Sequence, residues 1–331
     1  MMDTELSASF ADDLLIDRDK IARSITLTIP ASTCNLGPGL DTLGLALSLY
    51  TRITVWLLKK NYSDVPRVVL RGAMADISDA SDQGDLIYTM LMKLWKSTPR
   101  DASRLRVLVH SNIPLGSGLG GTGTVVLGGL WASYVLRDFI PTRPKILAEA
   151  TAVEQHPESL APSLMGNLVI CGTADAGNDV LTEQIEWPEQ WHTIVITPSY
   201  RLTTPKARAV LPKQVKLDDA IFNIQRTSLL LAAVQNQNES TMKQALDDRL
   251  HERYRSKQVP ELAEIRAVLH KEPIIGCVLS GAGSSILVIV NHKKKEVVLS
   301  NLKQWIAREQ KTLTVLDLTV DRSGLREIAC E

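Results

Sequence analysis

The sequence predicts a protein of mixed strands and helices in two domains, and three observations carry that reading. At 331 residues the chain has room for one large or two ordinary domains, and two is the better match to common domain sizes. A strand-like run, Leu105 to His110, leads through the glycine-rich stretch Pro114-Leu115-Gly116-Ser117-Gly118-Leu119-Gly120-Gly121-Thr122-Gly123-Thr124 into an apolar, helix-like segment from Val125 to Val135. Far downstream a second tight glycine turn, Ser280-Gly281-Ala282-Gly283-Ser284-Ser285, links two further apolar strands, Cys277 to Leu279 and Ile286 to Val290.

The first of these arrangements is suited to holding a phosphate. Glycines let successive backbone N–H groups converge without Cβ obstruction, and the positive end of the following helix favours an anion. Gly116-x-Gly118-x-x-Gly121 and Gly118-x-Gly120-x-x-Gly123 also match a dinucleotide fingerprint, which needs a second βαβ unit and an acidic residue about 20 positions on. Asp138 is near that distance but follows the helix directly, and no Gly-Lys-Ser/Thr closes a Walker loop. Phosphate cradle, dinucleotide loop and purely structural turn are the three readings of this stretch taken alone.

In chain order, an acidic leader (1–24, with Asp3, Glu5, Asp12, Asp13, Asp17 and Asp19) precedes a strand from Ser24 to Ile29. Turn formers from Pro30 to Asp41 then predict a loop displaying Asn35 and Asp41. Strand character resumes through Leu58, a turn falls at Asn61 to Asp64, Arg67 to Arg71 is strand-like, and Ile87 to Trp95 has helical spacing. Lys145 to Glu154 reads as a helix ending before Pro157, and Leu164 to Cys171 as a strand. A domain boundary is expected between Val180 and Tyr200, dividing 25–190 from 191–331. Helical patterns fill Leu217 to Leu250, with Phe222, Ile224, Leu229, Leu230, Leu231 and Val234 as the apolar face; Val297 to Glu309 is a helix and Thr312 to Thr319 the final strand.

Lysine plus arginine and aspartate plus glutamate both total 37, so no net field draws nucleic acid or a membrane surface. No apolar run is long enough to span a bilayer. Cys34, Cys171, Cys277 and Cys330 are scattered with no C-x-x-C pair, which argues against a zinc site or disulfide framework and fits a reducing cytoplasm. The six tryptophans are expected to pack rather than to stack on ligands.

Six ordered motifs resemble those of homoserine kinases, in the superfamily named for galactokinase, homoserine, mevalonate and phosphomevalonate kinases (GHMP). Pro30-Ala31-Ser32-Thr33-Cys34-Asn35-Leu36-Gly37-Pro38-Gly39-Leu40-Asp41-Thr42-Leu43-Gly44 is similar to P-A-S-x-A-N-L-G-P-G-F-D-x-L-G, and the glycine loop to P-L-x-R-G-L-G-S-S-A-A. Glu154-Gln155-His156-Pro157-Glu158-Ser159-Leu160-Ala161-Pro162 resembles E-G-H-P-D-N-V-A-P, Thr204 to Arg208 resembles T-x-x-A-R, Asp248 to Arg255 resembles D-R-x-H-x-P-Y-R, and Ser280 to Gly283 matches the third family motif. The chain is read as a divergent member, closest to the fungal type.

The resemblance implies an α+β fold: an N-terminal mixed-sheet kinase domain followed by a ferredoxin-like domain, with nucleotide near their interface. It implies ATP- and Mg2+-dependent phosphoryl transfer to the side-chain hydroxyl of homoserine or a similar amino acid, in threonine biosynthesis, by a cytoplasmic protein that can pair as a homodimer. In that scheme Asp41 holds the substrate ammonium with Asn35 nearby, Arg208 and Arg255 clamp its carboxylate, and His156 lies beside it. Glu158, Ser159 and Thr204 stand at the reacting hydroxyl. The nucleotide lies along Pro114, Gly116, Ser117, Gly118, Leu119, Gly120, Gly121, Thr122 and Gly123, with Asp85 of Asp85-Leu86-Ile87-Tyr88 near the adenine, and Thr122 and Glu154 hold the metal, with Glu149 as second choice. As isolated residues, Asp41 and Asn35 are equally good turn formers and the arginines equally good surface charges. The departures are specific. Gly121-Thr122 replaces Ser-Ser, Gly123-Thr124 replaces Ala-Ala, Glu158-Ser159 replaces Asp-Asn, Ser284-Ser285 replaces Pro-Thr, and Asp85 replaces asparagine. They leave a second reading open: a lyase, isomerase or cyclase that keeps the amino-acid clamp, or a binding module.

Overall fold

The computed structural model describes residues 16–75, 80–93, 95, 102–174 and 179–328; residues 1–15 of the acidic leader and Cys330 lie outside the described residues. A long antiparallel pair, β1 (Ile21–Cys34) and β2 (Leu43–Leu58), forms the spine of a seven-stranded sheet. It is extended by β3 (Val68–Gly72), β4 (Leu105–Ser111), β5 (Leu168–Thr173), β6 (Val180–Ile185) and β11 (Arg326–Ile328), in the order β11-β1-β2-β4-β3 with β5 and β6 branching from β2. The β3–β4 pair is parallel and the others antiparallel, so the sheet is mixed. Helices α1 (Ala80–Met92), α2 (Gly121–Val135), α3 (Arg143–Glu154) and α4 (Pro157–Met165) belong with it. Leu27, Ile29, Ile53, Val55, Val107 and Val109 from the strands meet Val125, Val126, Leu130, Ile146 and Leu160 from the helices in one apolar core.

The second sheet is antiparallel, built from β7 (Trp191–Pro198), β8 (Ile274–Leu279), β9 (Ile286–Asn291) and β10 (Leu313–Leu318) in the order β10-β7-β9-β8. First strand beside fourth, third beside second, is the ferredoxin-like order, and α9 (Glu261–Val268) and α10 (Lys295–Arg308) bury Leu262, Ile265, Val298, Leu302 and Trp305 against one face. Between β7 and α9 run α5 (Thr204–Ala209), α6 (Leu217–Gln235), α7 (Glu239–Ala245) and α8 (Glu252–Arg255). A further core joins the two sheets, with Leu36, Leu43, Leu45 and Leu47 on one side and Trp187, Val195, Leu230, Val234, Leu246 and Leu287 on the other. The α+β class and the two-sheet architecture are those the sequence led us to expect.

Several local expectations change. Pro30 to Cys34 is strand, because β11 pairs only with Thr26 to Thr28 and Pro30 sits past it at a register shift, where its missing N–H disrupts no ladder. The loop is therefore shorter, from Asn35 to Thr42. The second helix starts at Gly121, inside the glycine stretch. Leu164 and Met165 finish α4 rather than opening a strand, since Pro157 begins a new helix at its first position, where no N–H is needed. On α6 the buried face is Leu230, Ala233 and Val234, while Ile224 and Leu229 are exposed. The last strand is β11, which returns to the first sheet. Trp56, Trp95, Trp187, Trp191 and Trp305 are buried and Trp131 half-buried, in packing roles.

Close helix-to-sheet packing rests on Gly128 of α2: a Cβ there would lie 2.4 Å from Ile53 Cδ1 and 3.1 Å from Ile29 Cδ1. Gly128→Ala is expected to destabilise by about 1–3 kcal/mol through overpacking. Ile53→Val, which removes the clashing methyl, is expected to cost about 0.5–1.5 kcal/mol alone and to offset most of the alanine's effect in the double variant. Urea unfolding of the four proteins checks the coupling.

Candidate active site

The glycine stretch forms three left-handed turns, at Gly116, Gly118 and Gly120 (φ 65°, 78° and 71°), before α2 begins. Gly120 caps that helix without any side-chain bond, so the N–H groups of the first turn remain directed out of the helix end. The loop is held by the other glycine turn. Ser280 Oγ donates to Gly118 O (2.8 Å) and Ser285 N to Ser117 O (2.9 Å). A Cβ on Gly118 would stand 2.3 Å from Ser280 O and 2.7 Å from Gly283 O, so the approach requires glycine.

Gly281 extends the same stitch to the Asn35–Asp41 loop and Arg255. Its N–H donates to Cys34 O (3.0 Å), and its carbonyl accepts from Asn35 Nδ2 (2.8 Å) and Arg255 Nη1 (3.3 Å). Asn35 Oδ1 in turn accepts from Asp41 N (3.0 Å), which fixes the left-handed Asp41 at the end of its loop. Arg255 is buried on α8, donating also to Ala207 O (3.3 Å) and lying 3.3 Å from His251 Nδ1. The Asp248 carboxylate caps α8 by accepting from His251 N (2.8 Å) and Glu252 N (2.7 Å), and His251 Nε2 lies 2.7 Å from Gly37 O.

The fourth wall is the start of α4. A Cβ on Gly44 of β2 would fall 1.9 Å from Glu158 O, and Ser32 Oγ of β1 donates to Ser159 O (2.6 Å) while lying 2.3 Å from where a Gly120 Cβ would be. Ser32 is thus wedged between the glycine loop and Ser159. The backbone of Glu158 and Ser159 is therefore pinned from both central strands, directly beside the glycine loop. Ser159 Oγ donates to His156 O (2.9 Å).

These walls enclose a cleft of about 210 Å³. Asn35, Asp41, Glu154, His156, Glu158, Ser159, Thr204, Arg208, Arg255 and the loop from Pro114 through Gly116, Ser117, Gly118, Leu119, Gly120, Gly121 and Thr122 to Gly123 all line it. Two expected residues lie elsewhere. Asp85 is exposed on α1, outside the lining, and Glu149 accepts from Tyr134 OH (2.5 Å) and pairs with Lys93 (3.0 Å), which commits it to packing α3 on its neighbours. Sequence reasoning missed the roles of Ser32, Gly44, Ser280 and Gly281 as braces and of Asp248 and His251 as supports of Arg255. All six fall within the matched motifs, which was the one signal available for them.

Arg208 Nη2 lies 2.6 Å from Asp41 Oδ1 and 3.5 Å from His156 Nδ1, and His156 Nδ1 is 3.9 Å from Glu158 Oε1. Burial and the neighbouring Arg208 lower the His156 pKa, so it is neutral near pH 7 and its Nδ1 accepts. Burial, reinforced by the Asp41 carboxylate, pushes Glu158 up to about 7 against the partial opposition of Arg208 and Arg255. Burial alone raises Glu154. Cys34 and Cys171 are buried thiols with raised pKa values, inert as nucleophiles, and with Cys277 they are free.

Fold and cleft agree with what comparison with known proteins finds. Residues 85–167 match the GHMP kinases N terminal domain and residues 230–307 the GHMP kinases C terminal model. A homoserine kinase of Desulfitobacterium hafniense is 31% identical over 300 residues, covering 91% of this chain and 98% of that protein. One from Aquifex aeolicus is 32% identical over 274 residues, covering 82% and 89%. The crystal structure of homoserine kinase from Cytophaga hutchinsonii superposes with a TM-score of 0.79 over 92% of this chain and 97% of that one, at 21% identity. A mevalonate diphosphate decarboxylase from Staphylococcus aureus shares the fold at a TM-score of 0.66 and 11% identity, covering 93% and 98%. The architecture and cleft thus define a GHMP-type small-molecule kinase. Within that class, the chain belongs to the homoserine kinase family.

The raised Glu158 acid has a consequence for stability. Between its ordinary value near 4.5 and about 7, the folded protein keeps a proton that the unfolded chain has released, so stability falls as pH rises through that window and is level above it. Glu158→Gln removes the fall. The variant's melting temperature is expected to match the wild type near pH 4.5 and to exceed it at pH 8, by a difference on the order of 3 kcal/mol in stability; scanning calorimetry across pH 4.5 to 8 checks the trend.

Proposed function

We propose that the protein transfers the γ-phosphoryl group of ATP to the side-chain hydroxyl of homoserine, a step of threonine biosynthesis. One observation carries this reading: a single cleft joins an anion-binding helix N-terminus to a facing set of Asp41, Arg208 and Arg255, the charges an α-amino-acid zwitterion requires. The chain's relatives named homoserine kinase support that choice of amino acid, and nothing of comparable weight supports a lyase, isomerase or cyclase.

The chemistry follows from the residues. Asp41 and Arg208 neutralise each other, with 42% and 41% of their side chains exposed, so an arriving zwitterion exchanges one ion pair for two: ammonium to Asp41, carboxylate to Arg208 and the buried Arg255. Planar guanidinium forks suit a carboxylate, and the bonds are charge-assisted. Thr204, at the first turn of α5, lines the cleft one helical turn before Arg208. The triphosphate lies along the loop, its charge met by first-turn N–H groups of α2. Thr122 and Glu154 are oxygen donors on the same cleft, and the desolvated Glu154 carboxylate suits a hard divalent cation such as Mg2+. Bound there, Mg2+ would offset phosphate charge. No helix among the described residues is long and apolar enough to cross a membrane, and a cytoplasmic location and pairing of two copies belong to this same proposal.

Incubation with homoserine, ATP and Mg2+ is expected to give ADP and the O-phosphate ester in equal amounts; no homoserine-dependent ADP formation would sink the reading. Arg208→Met and Arg255→Met are each expected to raise the KM for homoserine by about 10- to 100-fold, the loss of one charge-assisted interaction, while the KM for ATP changes by less than about threefold. Steady-state kinetics on both substrates checks the separation.

A further inference from the structure

We propose that Glu158 is the general base of the reaction, taking the proton from the substrate hydroxyl as that oxygen attacks phosphorus. This rests on the phosphoryl-transfer reading above and assigns a role within it that positioning alone does not require.

Glu158 is 4% exposed, yet its Oε2 has no hydrogen-bond partner. A buried carboxylate oxygen left unsatisfied costs stability, so one that lines a cleft calls for a partner. Its carbon frame is not free to escape, since the Gly44 contact and the Ser32 bond to Ser159 hold the backbone on both sides. The side chain lines the cleft at the seam between the two recognition regions. On one side, Ser32 touches both Ser159 and Gly120, which places the first turn of α2 next to it. On the other, ligand atoms of Asp41, His156 and Glu158 all lie within 4.8 Å of one another.

That spacing matches the substrate. The hydroxyl oxygen of homoserine is four bonds from its nitrogen, a reach of about 3–5 Å. An ammonium held by Asp41 therefore brings the hydroxyl to Glu158, on the side facing the phosphate loop. A metal ion is a poorer occupant of the same trio, because the Arg208 guanidinium already contacts Asp41 and His156. His156 Nδ1 is unsuited to that role, since it faces Arg208. Asp41 is committed to the ammonium.

The protonation state suits the task. The groups facing Glu158 are Asp41, which raises it, Arg208 and Arg255, which lower it, His156 at 3.9 Å, and the Cys34 and Cys171 thiols, whose own ionisation Glu158 opposes. With burial the balance falls at about 7, near which a base is most effective at physiological pH. In the step itself the hydroxyl proton moves to Oε2 and the oxygen's electron pair forms the bond to the γ-phosphorus. The bond from that phosphorus to the β-phosphate oxygen breaks, ADP leaves with its electron pair, and Glu158 returns the proton to solvent before the next turnover.

The test is the pH profile of the complete enzyme with homoserine, ATP and Mg2+. Wild type is expected to show an acid limb in kcat/KM for homoserine with an apparent pKa near 7. Glu158→Gln is expected to lower kcat by about 100-fold or more, to abolish that limb, and to leave the KM for homoserine within about threefold. Glu158→Asp, one methylene shorter, is expected to keep the limb at a reduced rate. A Glu158→Gln enzyme with kcat within threefold of wild type, or one that retains the acid limb, overturns the assignment. So does a wild-type profile without an acid limb, which needs no variant. Absence of homoserine-dependent turnover in the wild type instead removes the phosphoryl-transfer reading, and the base with it.

Discussion

The structure depends on a backbone contact between two glycine turns. Gly281 is its hub: the backbone of this one residue contacts Cys34 through its N–H and Asn35 and Arg255 through its carbonyl, while neighbouring Ser280 reaches Gly118 of the glycine loop. The anion cradle, the Asp41 loop and the buried arginine are thus referenced to a single turn carried by the second sheet. The contact is made largely by main-chain atoms, and it exists because Gly118 has no Cβ to separate the turns.

Charge is handled by mutual neutralisation rather than by a net field, as the equal totals of acids and bases already suggest. Asp41 and Arg208 satisfy each other at the cleft rim, so neither stands unpaired and both can change partners at low cost. Arg255 behaves differently. It is buried and braced by Ala207 and Gly281 carbonyls, and its helix is capped by Asp248. One arginine is thus half-exposed in an ion pair at the cleft, and the other is buried and held by backbone carbonyls.

Most of the site was legible in the sequence because its chemistry sits in contiguous motifs. Asp41, Arg208, Arg255, Glu154 and the glycine loop were each marked by their neighbours in the chain, and all line one cleft. What escaped was long-range bracing. Nothing local to Gly44 or Ser32 says that one will touch Glu158 and the other Ser159, more than a hundred residues away. The return of Arg326 to Ile328 to the first sheet was equally hidden, since three residues pairing with Thr26 to Thr28 carry no periodicity to read. Asp85 and Glu149, each the expected residue type near a motif, stand outside the cleft lining: Asp85 is exposed on α1, and Glu149 bonds to Tyr134 and Lys93.

The departures from the family pattern gain meaning from this division between frame and lining. Gly121, Gly123, Glu158 and Ser159 differ from the pattern in their side chains, yet each occupies a segment whose backbone is fixed by contacts independent of those side chains. Glu158 is the clearest instance. With its carbonyl seated over Gly44 and the next residue bonded to Ser32, the extra methylene of glutamate over aspartate cannot be absorbed by moving the helix, so it is expressed as reach into the cleft. Ser159, shorter than the asparagine of the pattern, turns its hydroxyl back onto the His156 carbonyl. The longer acid and the shorter neighbour are therefore complementary changes on one rigid turn, placing the longer side chain of the pair at residue 158 on the cleft that the glycine loop, Asp41, Arg208 and Arg255 also line.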